Sequence, residues 1–318
     1  MADTTLSLKS KYERNDKLFS LLTGLSSIVV LLVFIGIFVV LVYESFPAIK
    51  EFGFFSFIFS TEWNPVTEEY GAATTLYGTL VTTILALIIA VPVAIGIAVF
   101  ITEIAPDILK EPISIAIELL AAIPSIIYGM WGLFTLAPLM ADHIEPFLQD
   151  TFGDVPIIGI LFEGTPMGID LFTASIILSI MIIPFTASIS RDAFKLTPDI
   201  LKESAYGLGA TKWEVVKNVI IPYSRVGVFG GVVLSLGRAL GETMAVAFVL
   251  GNNHKITTSL FEAAATITVT LANEFTEADT DIYLSSLFYL ALLLFILSFI
   301  VLAIAKFFIL RAEHGANK

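Results

Sequence analysis

The chain has 318 residues, of which 57% are hydrophobic and 14% charged, and its formal net charge is −12. A mean hydropathy of +0.90, with long runs that lack ionised side chains, is typical of chains solvated by membrane lipid and excludes an ordinary soluble domain. Since cysteine is absent, a disulfide framework and a thiolate metal site are also excluded.

Six apolar runs are long enough to cross a hydrocarbon core of about 30 Å, which takes about 20 helical residues. In chain order their residues are 18–43, 76–101, 113–139, 171–189, 226–250 and 284–309. They predict an all-α polytopic membrane protein with six transmembrane helices, in which a cytoplasmic tail of residues 1–17 precedes one membrane domain of residues 18–318. The segment 259–275 is apolar but short, so we expect it to lie in the interface or to re-enter the membrane.

The positions of lysine and arginine predict the orientation, because loops rich in these residues stay on the cytoplasmic side. Of the 17 Lys and Arg residues, all but Lys50, Lys255 and Arg238 fall before the first run, after the second and fourth runs, or around the end of the sixth. We therefore expect both termini to be cytoplasmic. One loop on the opposite side carries six acidic residues and no Lys or Arg, which indicates either a solvated face or a docking surface for a protein partner.

A polar stretch between the fourth and fifth runs, residues 197–222, predicts a helical hairpin on the cytoplasmic side. Thr197 followed by Pro198 is typical of the start of a helix. Gly207 and Gly209 permit the positive φ that ends a helix and turns the chain. We therefore expect a first short helix to end at this glycine pair.

Thr211 and Glu214 have the spacing of a capping box, which begins a second short helix that we expect to end at Pro222. The hairpin has three interpretations: an ordinary loop, a DNA-reading helix-turn-helix, and a lever that receives motion from an energy-supplying subunit. Its lysines are nearly balanced by glutamates, whereas binding to phosphate backbones requires a basic excess. We therefore expect no nucleic-acid partner.

The same hairpin resembles the EAA motif of bacterial ABC importer permeases, whose usual form is Glu-Ala-Ala, three residues, Gly, nine residues, Ile-x-Leu-Pro. The spacing matches, and the departures are Ser204, Val219 and Ile221. In that family the motif forms a coupling helix seated in a groove of the ATP-binding subunit. The resemblance implies that ATPase coupling depends on Glu203, Ser204, Ala205, Gly209 and Pro222.

Longer strings resemble the PstC permeases of bacterial high-affinity phosphate importers, and they cover nearly everything after the first run. The strings are YGTLVTTILALIIAVPVAIGIAVFITE from Tyr77, AAIPSIIYGMWGLF from Ala121, SISRDAFKLTPDILKESAYGLGATKWEVV from Ser188, GRALGETMAV from Gly237 and LANEFTEA from Leu271. The resemblance implies the type I ABC importer permease fold, the bacterial inner membrane and translocation of inorganic phosphate. It also implies as partners two ATP-binding subunits, a sister permease resembling PstA, and a periplasmic phosphate-binding protein.

The chain lacks the signature of an ATPase. A P-loop requires a Gly-Lys dipeptide, which the sequence does not contain. Its three histidines, His143, His254 and His314, lie outside the runs and are scattered, so they predict no metal site. We therefore expect a transport subunit rather than an enzyme, without cofactor or metal, whose ATP is hydrolysed by partner subunits.

Two charged residues, Arg238 and Glu242, lie in the fifth run, where each costs about 2.5 to 3.5 kcal/mol to insert. Their i, i+4 spacing places them on one face of the predicted helix. Because guanidinium is a planar fork suited to a tetrahedral oxyanion, the phosphate role implied by the resemblance favours a substrate pathway through Arg238, held by Glu242 when empty. The alternative is an ion pair that only fixes packing. Glu118, early in the third run, is a second candidate that we expect to be a solvated or hydrogen-bonded bystander.

Two other functions remain open from the sequence. One is a self-sufficient secondary transporter, in which Arg238 and Glu242 would form a proton- or anion-coupled site. The other is an ABC permease for a different oxyanion. The first alternative requires no ATP-binding subunits, so co-purification with such subunits distinguishes it from the importer.

Overall fold

The computed structural model describes the backbone of residues 2–316 and the side chains of residues 16–311. In chain order its α-helices are α1 (Ala2–Phe52), α2 (Phe54–Phe59), α3 (Ala73–Val99), α4 (Asp107–Ala121), α5 (Ser125–Trp131), α6 (Ala137–Leu139), α7 (Glu145–Phe152), α8 (Leu171–Lys195), α9 (Asp199–Gly207), α10 (Lys212–Val215), α11 (Ile221–Leu240), α12 (Met244–Ala247), α13 (Ile267–Glu274) and α14 (Asp281–Ala316). Single π-helical turns cover Phe100–Ile104, Gly132–Leu136, Met140–Ile144 and Val216–Ile220, and a 3₁₀ turn covers Gly159–Phe162. Two short strands that the sequence did not predict, β1 (Trp63–Asn64) and β2 (Glu69–Tyr70), pair antiparallel.

Five helical segments are long and apolar enough to cross a membrane, and each overlaps one of the predicted runs. Their bounds are Asp16–Phe52, Ala73–Ile104, Leu171–Lys195, Lys212–Leu240 and Asp281–Arg311. This architecture confirms the predicted all-α polytopic class. Most of the predicted tail, residues 1–17, lies outside the residues with described side chains, which begin at Asp16.

The third predicted run, 113–139, is not one straight helix. The chain bends by 88° between α4 and the helical segment that follows it, because Pro124 lacks an amide hydrogen and disfavours the helical region for the residue before it. Glu118 of α4 contacts Arg191 near one end of α8, whereas Glu145 of α7 bonds to the loop just before the other end. The bent pair therefore passes along the length of α8 and counts as one broken crossing, which makes six.

The fifth predicted run, 226–250, has different bounds. A helix without a break extends from Lys212 to Leu240, because α10 continues through the π-helical turn Val216–Ile220 into α11. The wider π turn accommodates the ring and the missing N–H of Pro222. The prediction that the second hairpin helix ends at Pro222 is therefore wrong, and so is the prediction of a span that continues to residue 250.

The centre of the bundle is formed by α3, α8 and α11. Small residues let these helices approach closely: on α3, Ala86, Ala90, Ala94 and Ala98 are fully buried at every fourth position. On α11, a Cβ atom at Gly227 would lie 2.6 Å from Ala193, and one at Gly231 would lie 2.8 Å from Ile189. Since α11 meets α8 through these two glycines, larger side chains there would push the two helices apart.

The segment 259–275 packs inside the bundle. Its helical part, α13, buries four consecutive residues from Ile267 to Thr270 and contacts α3, α12 and α14. Thr266 caps this helix by accepting a hydrogen bond from Val269 N at 3.3 Å. Its exposed residues, Ala272, Asn273 and Phe275, lie only at its end, whereas a helix lying in the interface would expose one face along its length, so the burial pattern favours the re-entrant alternative.

Candidate functional site

The predicted hairpin consists of α9 and α10, at the end of the bundle that we call the hairpin end. Gly209 joins the helices with a φ of +90°, a conformation that a residue with a Cβ adopts only with strain. Gly207 is helical, so Gly209 alone makes the turn. The capping box is confirmed, with Glu214 Oε2 accepting a hydrogen bond from Thr211 N at 2.8 Å.

The start of α9 differs from the prediction. No side chain caps this helix, and the hydroxyl of Thr197 instead lies 3.0 Å from that of Ser224 at the start of α11. The hairpin is thereby tied back to the bundle. A buried apolar cluster that includes Phe194, Val215 and Ile220 holds the α10 side of the hairpin in place.

The outer face of the hairpin is apolar and exposed. Leu208 at the turn is 90% exposed and Trp213 is 66% exposed, and Glu203, Ser204 and Pro222 are exposed as well. Exposed apolar residues clustered on a polar hairpin are typical of a protein contact. Of the predicted coupling residues, only Ala205 faces inward, where it packs against the buried apolar cluster.

The predicted pairing of Arg238 with Glu242 is wrong. Arg238 occupies the last turn of α11, whereas Glu242 lies beyond the end of that helix, so the two do not share a helix face. Glu242 Oε1 accepts a hydrogen bond from Ala245 N at 3.1 Å, which places it at the start of α12, and its carbonyl accepts one from Thr268 at 2.7 Å. Among the side chains of residues 16–311, no ion pair joins Arg238 to Glu242.

Arg238 instead packs on an aromatic ring. Its guanidinium carbon lies 5.6 Å from the ring centroid of Phe185 on α8, within the range of a cation–π contact. Its buried Nε has no hydrogen-bond partner in the described part of the chain. A guanidinium has five N–H donors and no acceptor, so this side chain retains donors for an anion.

Sequence reasoning missed two ion pairs at the hairpin end. Lys202 of α9 lies 3.0 Å from Glu103, at the end of the helix that contains α3. Glu118, the expected bystander, accepts a hydrogen bond from the buried Arg191 at 2.9 Å. These partners are far apart in the sequence, so no local pattern could have paired them.

At the opposite end, the acidic loop is only partly a solvated face. Asp170 is buried and caps α8 by accepting a hydrogen bond from Thr173 N at 2.8 Å. Glu145 is also buried, and its Oε2 accepts one from Gly168 N at 3.3 Å. Burial raises the pKa of Asp170 to about 8, and the charge of Glu145 acts in the same direction. These two carboxyl groups hold the loop together and are not available to a partner.

A second polar cluster at this end surrounds Glu274. Its Oε2 accepts hydrogen bonds at 2.7 Å from Trp63 Nε1 and from the hydroxyl of Tyr283, and His254 Nε2 lies 3.3 Å from its Oε1. Burial alone would raise the pKa of Glu274, but the nearby His254 and the hydrogen bonds from Tyr283 and Trp63 outweigh burial and lower it. The cluster joins the segment between α2 and α3, which contains Trp63, to α13 and α14.

Comparison with known proteins shows which family the chain resembles. Residues 94–314 match the family described as binding-protein-dependent transport system inner membrane component. The chain is 51% identical over 303 residues to the phosphate transport system permease protein PstC of Mesorhizobium japonicum, covering 95% of this chain and 92% of that protein. It is 50% identical over 303 residues to the protein of the same name from Haemophilus influenzae, covering 95% and 96% of the two chains.

A solved structure shows the same fold. A chain of the bacterial alginate ABC transporter, in complex with an alginate pentasaccharide-bound periplasmic protein, aligns with a TM-score of 0.56 at 16% identity, covering 83% of this chain and 85% of that one. The likeness confirms the predicted importer permease fold. The chain therefore belongs to the family of binding-protein-dependent transport system inner membrane components and, within it, to the PstC permeases.

Proposed function

We propose that this chain is one permease subunit of an ABC importer and forms half of a pathway that carries inorganic phosphate across the bacterial inner membrane. Membership of the PstC permeases supports the substrate. The observation that carries the mechanism is the unbroken helix from Lys212 to Leu240. It joins the exposed hairpin at one end to Arg238 in its last turn at the other.

The hairpin docks into the ATP-binding subunits. Its exposed apolar side chains, Leu208 and Trp213 among them, are not covered by any of residues 16–311, and a partner protein would shield them from water. This chain pairs with a sister permease resembling PstA, and each of the two permeases binds one of two ATP-binding subunits. Since this chain lacks a P-loop, those partners hydrolyse the ATP.

Orientation follows from the same assignment. The hairpin faces the cytoplasm, where ATP is available, so the six crossings place both termini there as well, with residues 1–17 as a tail and residues 18–318 as the permease domain. The opposite end, which carries the acidic loop and β1–β2, faces the periplasmic phosphate-binding protein that delivers the substrate.

Arg238 receives phosphate in the pathway. Its side chain is held from one side by the ring of Phe185, which leaves its N–H donors for a tetrahedral anion. Glu242 lies just beyond Arg238 in the chain, where its carboxylate accepts a hydrogen bond from Ala245 N rather than holding Arg238. Movement of the hairpin is transmitted along a helix of about 40 Å, at 1.5 Å per residue, and changes the position of Arg238 relative to Phe185.

Reconstitution of the complete complex in proteoliposomes tests the proposal. We expect uptake of radiolabelled phosphate that requires ATP on the hairpin side and both ATP-binding subunits, and that excess sulfate does not inhibit. Uptake that persists without the ATP-binding subunits would favour a self-sufficient secondary transporter. Equal uptake of sulfate would favour a permease for another oxyanion.

A further inference from the structure

We propose that the ion pair between Lys202 and Glu103 passes hairpin movement to α3, so that the hairpin drives two transmembrane helices. This inference rests on the proposed role of the hairpin in contacting the ATP-binding subunits. Lys202 belongs to α9, and Glu103 to the π-helical turn that continues α3. The two residues are 99 positions apart in the chain, so the pair joins separate elements.

Burial makes this pair different from an ordinary surface contact. Lys202 Nζ lies 3.0 Å from Glu103 Oε1, and the side chains are only 18% and 11% exposed. Surface ion pairs are weak and screened by salt. When one partner of a largely buried pair moves away, the other charge is left uncompensated, so separating the two side chains is costly.

The ion pair also supplies what the packing of α9 lacks. No side chain of α9 is fully buried, whereas α10 and the turn after it bury Val215, Val216 and Ile220. The apolar cluster contains residues of α10, α11 and α3, but α9 reaches it only through half-buried Ala205. The ion pair adds a direct link from α9 to the end of α3.

The ion pair lies beside a cleft at the hairpin end, into which α9 can move. The cleft has a volume of about 640 Å³ and is lined by residues of the end of α3, α4, α8 and α9. Lys202–Glu103 bridges it on one side, and Arg191–Glu118 links α8 to α4 on the other. A displacement of α9 changes the width of this cleft and pulls on the end of α3 through Glu103.

The pair could instead serve only to attach the hairpin during folding, and paired substitutions distinguish the two roles. Replacing both partners of a buried ion pair by neutral residues of similar volume is often nearly neutral for stability. The double variant Lys202→Met with Glu103→Gln therefore keeps the hairpin attached while removing the charge link. A structural role predicts normal transport in this variant, and a transmitting role predicts transport uncoupled from ATP hydrolysis.

The experiment measures phosphate transported per ATP hydrolysed by the complete complex in proteoliposomes. We expect the Met/Gln double variant to retain its ATP-binding subunits and to lose at least about fivefold in this ratio, the lower end of typical coupling between sites. The exchange Lys202→Glu with Glu103→Lys should recover most of the ratio. The control Asp107→Asn breaks a 2.8 Å ion pair whose carboxylate is 95% exposed, and it should change nothing.

Each outcome bears on a separate proposal. A wild-type ratio in the Met/Gln double variant, or the same loss in Asp107→Asn, would overturn the transmitting role of the pair. Failure of the ATP-binding subunits to co-purify with the unaltered chain would overturn the proposed function itself. If the Met/Gln double variant fails to assemble, the double variant Lys202→Gln with Glu103→Gln, which also removes both charges but leaves two amides able to hydrogen-bond, is measured in its place against the same ratio.

Discussion

Gly209 offers the sharpest test of the hairpin, because its conformation and its surroundings separate two physical effects. Its φ is +90°, and no atom lies within 4 Å of a Cβ atom built on it. In Gly209→Ala the added methyl group meets open space, so the whole cost comes from the backbone. A residue with a Cβ in the left-handed region costs about 1 to 2 kcal/mol.

Gly207 provides a matched control two residues away. A Cβ atom there also meets nothing within 4 Å, but Gly207 is helical. Gly207→Ala should therefore stabilise α9 by up to about 1 kcal/mol. Both variants add the same methyl group to the same exposed hairpin, and only Gly209→Ala strains the turn.

Docking of the ATP-binding subunits reports this difference. If docking requires the native turn, the strain at residue 209 adds to the free energy of the conformation that can dock. A strain of about 1 to 2 kcal/mol then corresponds to a loss of about 5- to 30-fold in apparent affinity. Titration of the ATP-binding subunits against the permease pair in nanodiscs measures the affinity. We expect a loss for Gly209→Ala and none for Gly207→Ala. Equal affinities would refute the idea that the turn at Gly209 positions the hairpin for docking.

Three further predictions concern the remaining sites. Arg238→Lys keeps the charge but loses the bidentate fork, so phosphate uptake should fall by about 10- to 100-fold, as for the loss of one charged hydrogen bond. The ATP-binding subunits should remain bound to this variant. Near-normal uptake would show that Arg238 only packs on Phe185. Glu242→Ala removes the hydrogen bond that its carboxylate accepts from Ala245 N, so the start of α12 should lose about 1.5 to 3 kcal/mol, as for a hydrogen bond to a charged group, seen as faster hydrogen exchange at residues 244–247. Unchanged exchange there would contradict this role. Because the pKa of Asp170 is raised to about 8, the folded protein keeps a proton that the unfolded chain has lost, so thermal stability should fall as the pH rises from about 4 to about 8. Asp170→Asn should flatten this dependence of stability on pH. The same slope in the variant would contradict the role of Asp170.

Local signals in the sequence predicted the local structure of the hairpin. The Thr211–Glu214 capping box and the turn at Gly209 depend on neighbouring residues, and both are confirmed. Hydropathy likewise found the five long apolar helices and the bent pair that follows α3, because lipid selects apolar side chains along each span. These features need no information about the rest of the fold.

The bounds of the spans were harder to predict, because hydropathy does not distinguish lipid from the protein interior. Residues 245–250 are nearly as buried as the centre of α8, so the fifth run continued past Leu240 although the helix does not. The break in the third run depends on Pro124, and proline within a span is compatible with either a kink or a full bend.

The contacts of the charged residues depend on tertiary structure. Arg238 and Glu242 have helical spacing, but the helix ends between them at Leu240. Lys202 finds its partner Glu103 only because the ends of α3 and α9 meet. A single sequence shows which side chains are charged but not the distances between them in the fold.

The π-helical turn Val216–Ile220 sets the rotational register between the hairpin and the rest of the long helix. Each α-helical residue advances about 100° around the axis and 1.5 Å along it, and a π turn accommodates one extra residue. Without that residue, the glycine face of α11 at Gly227 and Gly231 would point about a quarter turn away from α8 while the hairpin kept its place. One inserted residue thus determines which way Arg238 points when the hairpin is seated.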